Sequence, residues 1–124
     1  MESEKIFYNS LAVTLKSDYK KLEKLKEKFG NWESAWNSIC KSGELFSLNA
    51  TNNNEPMKLW GELSKTNTRL ILRDDPEYPN LLKEIPLAPH AIYVRGKLPE
   101  KEALSLAIVG TRKASDHGKK TAYE

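Results

Sequence analysis

The most informative stretch of this chain is Leu106-Ala107-Ile108-Val109-Gly110-Thr111-Arg112-Lys113-Ala114-Ser115-Asp116-His117-Gly118. Four apolar residues run into a glycine, and an arginine and a second glycine follow. A short apolar run of this kind predicts a buried strand, which we place from Leu104 to Val109. A helix is predicted after the turn, from Lys119 onwards. The stretch therefore predicts a strand, a turn and a helix in that order.

The turn between this strand and helix has the residues of a phosphate cradle. In an open α/β sheet, ligands gather where the carboxyl end of a strand turns into a helix. Gly110 lets the backbone approach an anion closely, Thr111 offers a hydroxyl, and Arg112 can grip a phosphate through two hydrogen bonds. Ser115 can cap the helix, whose free N–H groups attract anions, and Gly118 keeps its first turn close to the ligand. A purely structural turn is the alternative.

Common cofactor and metal signatures do not fit this sequence. Arg112 stands at the second glycine of the G-x-G-x-x-G fingerprint, and no serine or threonine follows Lys119 as the phosphate-binding loop of nucleotide hydrolases requires. Cys40 is the single cysteine, and His90 and His117 lie too far apart for the spacing of zinc ligands. We therefore expect no bound cofactor and no metal.

The residues before the turn add two strands and a short helix. Leu70 to Leu72 is an apolar run ended by aspartates and a proline, and Ala91 to Val94 is rich in residues that favour strands. Tyr78 to Ile85 is a short helix that Pro86 stops. Strand, helix, strand, strand, turn and helix form the opening of an α/β domain. The sequence thus predicts an α/β fold class for residues 66–124.

The first 65 residues show helical periodicity. One apolar face runs along residues 4–15, and a second helix capped by Ser17 or Asp18 ends at Gly30. Asn31 can cap a third helix, whose apolar stripe is Trp32, Ala35, Trp36, Ile39 and Cys40. A fourth helix carries Met57, Trp60 and Leu63. Residues 1–65 are therefore predicted to form a compact helical module.

Composition and charge set limits on location and partners. The chain has 124 residues, of which 39% are hydrophobic and 30% charged, and its net charge is +3. No apolar run approaches the roughly 18 to 20 residues of a membrane span, and the first residues do not form a secretory signal. We expect a cytoplasmic protein without a membrane partner. The lysines of the first 41 residues fit either a solvated helix face or nucleic-acid contact.

Four ordered blocks of this sequence closely resemble the DNA-processing protein A family, also called DprA or Smf. The blocks are Asp75 to Ile85, Pro89, Ile92 to Gly96, and Ala107 to Arg112 with Ser115 and Gly118. Members of that family have a Rossmann-like domain after a variable helical module. The resemblance therefore implies a helix-hairpin-helix-like module over residues 1–65 and the incomplete start of a Rossmann-like parallel α/β domain over residues 66–124.

The same resemblance implies a function. The family binds single-stranded DNA during natural transformation, protects it and passes it to a RecA-type recombinase. By position, Gly110, Thr111, Arg112, Ser115 and Gly118 would contribute to the pocket that holds the DNA backbone. The resemblance also implies a homodimer for the full-length parent. The later segments of the family have no counterpart here, so the chain is expected to be the N-terminal piece of such a protein.

Two other functions stay open at this point. One is a Rossmann-like hydrolase that cleaves nucleoside monophosphates at the sugar. In such enzymes an apolar strand is also followed by a turn with glycine and arginine. A helical interaction module followed by a nonfunctional remnant would bind no nucleic acid at all. No Ser-His-Asp set, Cys-His pair or pair of carboxylates can be assembled convincingly from the chain. We therefore expect a binding protein and not an enzyme.

Overall fold

The fold is described by a computed structural model over residues 2–42, 55–100 and 106–124, and it combines helices with a small sheet. Its elements are α1 (Glu2–Thr14), α2 (Tyr19–Phe29), α3 (Trp32–Ser42), α4 (Glu55–Lys65), β1 (Thr68–Leu72), α5 (Asn80–Lys83), β2 (Ala91–Arg95) and α6 (Asp116–Tyr123). The first two predicted strands and the predicted helices are confirmed, except that the helix expected over residues 78–85 is shorter than predicted. None of the described helices has the length and apolar character needed to cross a membrane.

Local capping signals set the bounds of α2 and α3. The Asp18 carboxylate accepts the N–H three residues further on at 3.2 Å, as an N-cap does. Gly30 ends α2 with a φ of 75°, which is a left-handed conformation that glycine adopts without strain. Asn31 then caps α3, since its side chain accepts the N–H of Ser34 at 2.7 Å. The predicted caps are confirmed.

The apolar faces of α1, α2 and α3 form the centre of the main core. Its buried helical residues are Tyr8, Leu11, Ala12, Leu22, Trp32, Ala35, Trp36 and Ile39. Tyr8 meets Trp32 edge to face, with ring centroids 4.9 Å apart. The start of α3 is also held by α1, because the Glu4 carboxylate accepts the N–H groups of Trp32 and Glu33 at 2.9 and 3.2 Å. The stripe predicted on α3 faces this core.

The strands β1 and β2 pair in antiparallel register, with Leu70 opposite Tyr93 and Leu72 opposite Ala91. On one face Leu70, Leu72 and Ala91 belong to the same core as the helices. The other face contributes Ile71 and Val94 to a second core, which is closed by the buried ring of Tyr78. The sheet thus lies between the helices and the segment that connects its strands. The division of the chain at residue 65 stays a prediction.

Two predictions about the sheet are wrong for the described residues. The pairing is antiparallel, whereas the α/β interpretation implied a parallel sheet. A parallel pair needs a crossover that runs the length of a strand, but the connection over residues 73–90 holds one four-residue helix. The third strand, expected from Leu104 to Val109, is absent over residues 106–109, while residues 104 and 105 lie outside the described ranges.

The segment 106–109 is exposed and not paired with any other described strand. Leu106 and Val109 are 88% and 90% exposed. An apolar run becomes a strand only when a neighbouring strand satisfies its N–H and C=O groups and covers its side chains.

The short helix expected over residues 78–85 is also reduced, to Asn80–Lys83. The helix after the turn is confirmed as α6.

Candidate functional site

The turn that begins at Gly110 is exposed and locally hydrogen-bonded. The Thr111 hydroxyl accepts the N–H of Lys113 at 3.0 Å, which holds the Arg112 backbone at the apex. Gly110 does not adopt the left-handed conformation, and a Cβ built on it would meet nothing within 4 Å. The turn itself therefore does not require glycine here. A role for Gly110 in admitting a ligand to the backbone stays a prediction.

The helix α6 begins with the capping arrangement expected from the sequence. Ser115 has extended backbone angles of −66° and 161°, and its hydroxyl accepts the N–H of Gly118 at 3.1 Å. A Cβ on Gly118 would lie 3.4 Å from that hydroxyl oxygen, so a small residue fits beside the cap. The N–H groups of Asp116 and His117 precede the first intrahelical bond, and they face the end of the helix. The helix start thus presents donors to an anion.

Charge at the turn is positive on balance. Residues 110–124 hold four basic side chains, Arg112, Lys113, Lys119 and Lys120, against two acidic ones. Both acidic side chains form ion pairs with lysines, since Asp116 lies 3.5 Å from Lys119 and Glu124 lies 3.9 Å from Lys120. Within the described ranges, neither Arg112 nor Lys113 has a carboxylate at ion-pair distance. Both charges are therefore free for an external anion.

The five residues singled out from the sequence are all exposed and belong to one continuous turn and helix start. Gly110, Thr111 and Arg112 form the turn, and Ser115 and Gly118 form the cap that follows it. Their donors can hold a phosphate oxygen. Among the residues that the structure describes, no three His, Cys, Asp or Glu side chains converge as metal ligands do. The arrangement offers hydrogen-bond donors and positive charge that could hold an anion.

The block that begins at Asp75 has a structural role. The Asp75 carboxylate is buried and accepts the Leu72 N–H at 2.9 Å and the Lys5 ammonium at 2.8 Å. Burial raises the pKa of Asp75, but these two hydrogen bonds and the Lys5 charge outweigh burial and hold the pKa below its usual value. The Tyr78 hydroxyl donates to the Pro89 carbonyl at 2.7 Å. This block therefore fixes the segment behind the sheet.

A buried polar cluster around His90 was not predicted. His90 Nε2 lies 2.8 Å from the Glu23 carboxylate on α2, and neither of these buried atoms has another hydrogen-bond partner in the described ranges. Its Nδ1 lies 3.1 Å from the Arg73 guanidinium, and its ring stacks on Tyr19 at 5.1 Å. Because Arg73 can only donate, the proton belongs on Nε2. The cluster joins α2 to the start of β2. No local sequence pattern predicts it, because its residues are far apart in the chain.

Acidification is expected to weaken this junction. Burial lowers the pKa of His90 below 6.5, the Arg73 charge lowers it further, and Glu23 opposes both without reversing the shift. An unfolded histidine titrates near its ordinary value, so below pH 6.5 the unfolded chain binds more protons and stability falls. Urea unfolding between pH 7.5 and 5.0 should show this loss. The His90→Gln variant should lose less stability over that range; an equal loss would contradict the assignment.

Comparison with known proteins agrees with the blocks described above. The sequence model of the family described as DNA recombination-mediator protein A matches residues 69–124. Protein Smf of Synechocystis sp. is 39% identical over 71 residues, which cover 54% of this chain and 18% of that protein. Protein Smf of Borreliella burgdorferi is 42% identical over 53 residues, which cover 43% of this chain and 17% of that protein. No solved structure matches significantly.

The matched region contains both the turn and the block around Asp75. The chain spans less than a fifth of the length of these two relatives. The resemblance inferred from the four sequence blocks is confirmed over the residues that carry them. Residues 69–124 of this chain match the DNA recombination-mediator protein A family, and the two Smf relatives support membership of that family for this part of the chain.

Proposed function

We propose that this chain binds single-stranded DNA through the turn at Gly110 to Arg112, as part of a DNA-processing protein that mediates recombination. One observation carries the proposal. The Arg112 guanidinium is exposed and has no carboxylate partner in the described ranges, and Arg112 lies between Gly110 and the Ser115-capped start of α6. This combination of cation and helix N-terminus lies in the segment matched by the family.

The proposed contact is to the DNA backbone. A phosphate oxygen accepts hydrogen bonds from Arg112 and from the N–H groups at the start of α6, and the Thr111 hydroxyl can donate to a second oxygen. The Asp116 carboxylate would repel a phosphate, but its ion pair with Lys119 offsets that charge. No base is contacted by these groups. Binding is therefore expected to be independent of sequence.

The wider role is also part of the proposal. We propose that the whole protein is a binding factor and not an enzyme, that it protects single-stranded DNA in the cytoplasm, and that it delivers the strand to a RecA-type recombinase. A homodimer and a Rossmann-like sheet around the segment 106–109 belong to the same proposal. The match to the recombination-mediator family supports these points.

Replacing Arg112 with alanine should weaken the binding of oligothymidine about tenfold, since a charge-assisted hydrogen bond contributes about 1.5 kcal/mol or more. Loss of one phosphate contact should also reduce the slope of log affinity against log salt by about 0.7. NMR titration of the labelled chain measures both, because it registers even millimolar binding. Lys58→Ala, on the exposed face of α4, is the control and should change neither quantity.

The salt dependence separates a lost contact from a structural effect. If Arg112→Ala leaves the affinity and its salt slope unchanged, the turn is structural and the proposed site is wrong. Oligoadenine should behave like oligothymidine, because phosphates and not bases are contacted.

A further inference from the structure

A groove between α2 and α3 lies outside the turn described above. Its volume is about 310 Å³, and its floor is apolar, formed by Leu25, Phe29 and Ile39. One rim carries Lys21, Lys24 and Lys28, and the other carries serine side chains of α3. The helical half of the chain therefore contains a concave surface with an apolar floor and a basic rim.

Two of the three lysines on the basic rim have no acidic partner in the described ranges. Lys21, Lys24 and Lys28 follow each other at three and four residues, so they lie on one face of α2. Within the described ranges, Lys21 approaches Asp18 only at 4.0 Å, and Lys24 and Lys28 have no carboxylate at ion-pair distance. Glu23, on the same helix, is directed to the His90 cluster. The rim thus presents the unpaired charges of Lys24 and Lys28 beside Lys21, which forms a long ion pair with Asp18.

The floor offers an aromatic ring that is not fully covered. Phe29 is half-buried, and the Lys28 ammonium lies over its ring at 5.2 Å from the centroid. Lys28 is an exposed flexible side chain, so it can move aside at little cost. Ser38 on the opposite rim is half-buried and has a hydroxyl that can donate or accept. In proteins that bind single-stranded nucleic acids, bases stack on aromatic rings and the backbone follows a row of basic side chains.

We infer that the groove between α2 and α3 is a second contact site for single-stranded nucleic acid. The rim lysines hold successive phosphates, and one base stacks on Phe29. This inference rests on the proposed function in that the same strand would occupy both sites. A strand bound at one site meets the other site at a high effective concentration, so the two contacts together raise the affinity for the strand.

The dimensions favour a nucleic-acid strand over an acidic peptide helix. The lysine row spans about 10 Å along the axis of α2, a length that a few nucleotides of an extended strand can follow. A peptide helix instead needs an apolar groove long enough for anchors over two turns. A groove of about 310 Å³ with one aromatic ring suits one or two bases better.

The test is an NMR titration of the isotope-labelled chain with a six-residue oligothymidine. We expect amide shifts in residues 21–29 and 38–42, together with shifts in residues 111–118. Lys24→Glu combined with Lys28→Glu should abolish the first group of shifts and leave the second in place. It should also reduce the salt slope of binding by about 1.4, which is about 0.7 for each lost phosphate contact.

Two further variants make the test specific. Lys58→Glu combined with Lys65→Glu makes the same change in charge on an exposed face of α4, and it should leave the groove shifts intact. Phe29→Leu keeps an apolar side chain but removes the ring, and it should weaken oligothymidine binding at least about fivefold. Circular dichroism checks that each variant keeps its helices.

Each outcome decides between the two sites. Shifts at the turn alone would overturn the groove and leave the proposed function standing. Shifts at the groove alone would support the groove and contradict the turn. Groove shifts caused by poly-glutamate but not by oligothymidine would overturn the inference in favour of an acidic peptide. An equal loss of groove shifts in the α4 variant would show unspecific attraction and overturn it as well.

Discussion

Replacing Leu70 with alanine is expected to lower the free energy of unfolding of the helices together with that of the hairpin, by about 2 to 5 kcal/mol. Leu70 lies on β1 but is 3% exposed and belongs to the same core as Trp32 and Trp36. Truncation would leave a cavity between sheet and helices, which costs contacts on both sides. Urea unfolding followed by helical circular dichroism and by tryptophan fluorescence should give one coincident, shifted transition.

The control is Leu81→Ala on α5. Leu81 is 77% exposed, so its truncation should change the free energy of unfolding by no more than about 0.5 kcal/mol. If Leu70→Ala instead melted the hairpin early and left the helical signal at its original midpoint, the chain would consist of two independent units. Such a result would support the division at residue 65 that the sequence suggested.

The helices could be predicted because their signals are local. Asp18, Gly30 and Asn31 act on groups within four residues, and the residue type decides whether a cap forms. The stripe of Trp32 and Trp36 follows from helical period alone. For the same reason the Ser115 cap was expected, and the start of α6 is found with its hydroxyl on the Gly118 N–H.

The pairing of the strands could not be predicted in the same way. Leu70 to Leu72 and Ala91 to Val94 have the composition of strands, but composition does not state direction or partner. The direction follows from the connection between them, which folds back beneath one face and closes a second core with Tyr78. The run Leu106 to Val109 has equal apolar character and yet forms no strand in the described residues, because strand formation depends on a neighbour.

Contacts between residues far apart in the chain could not be predicted from the sequence either. Glu4 caps α3 from another helix, and Glu23 on α2 contacts His90 just before β2. For the candidate sites the result is mixed. The order of residues at the turn was sufficient to suggest an anion site, whereas the groove on α2 needed the structure. Periodicity shows that Lys21, Lys24 and Lys28 share a face, but not that Phe29 and α3 form a floor beside them.

Replacing Asp75 with alanine should be among the most destabilising single changes, with a loss of about 3 to 5 kcal/mol. The carboxylate is the acceptor for the buried Leu72 N–H at the end of β1 and for the Lys5 ammonium from α1. Its removal leaves one buried donor unsatisfied and one partly buried charge unpaired. Because Lys5 belongs to α1, the loss should appear in the helical signal as well.

Asp75→Asn separates charge from hydrogen bonding. The amide keeps an oxygen for the Leu72 N–H, so this variant should lose less stability than Asp75→Ala at pH 7. The pKa of Asp75 lies below its ordinary value of 3.8 in the folded chain, so the stabilising charge is fully present above that value and is lost as pH falls through the folded pKa. The difference in unfolding free energy between the original chain and Asp75→Asn should therefore shrink from pH 5 to pH 3. A difference that stays constant over this range would mean that the Lys5 pair contributes no charge-dependent stability, and that the hydrogen bond to Leu72 alone holds the turn after β1.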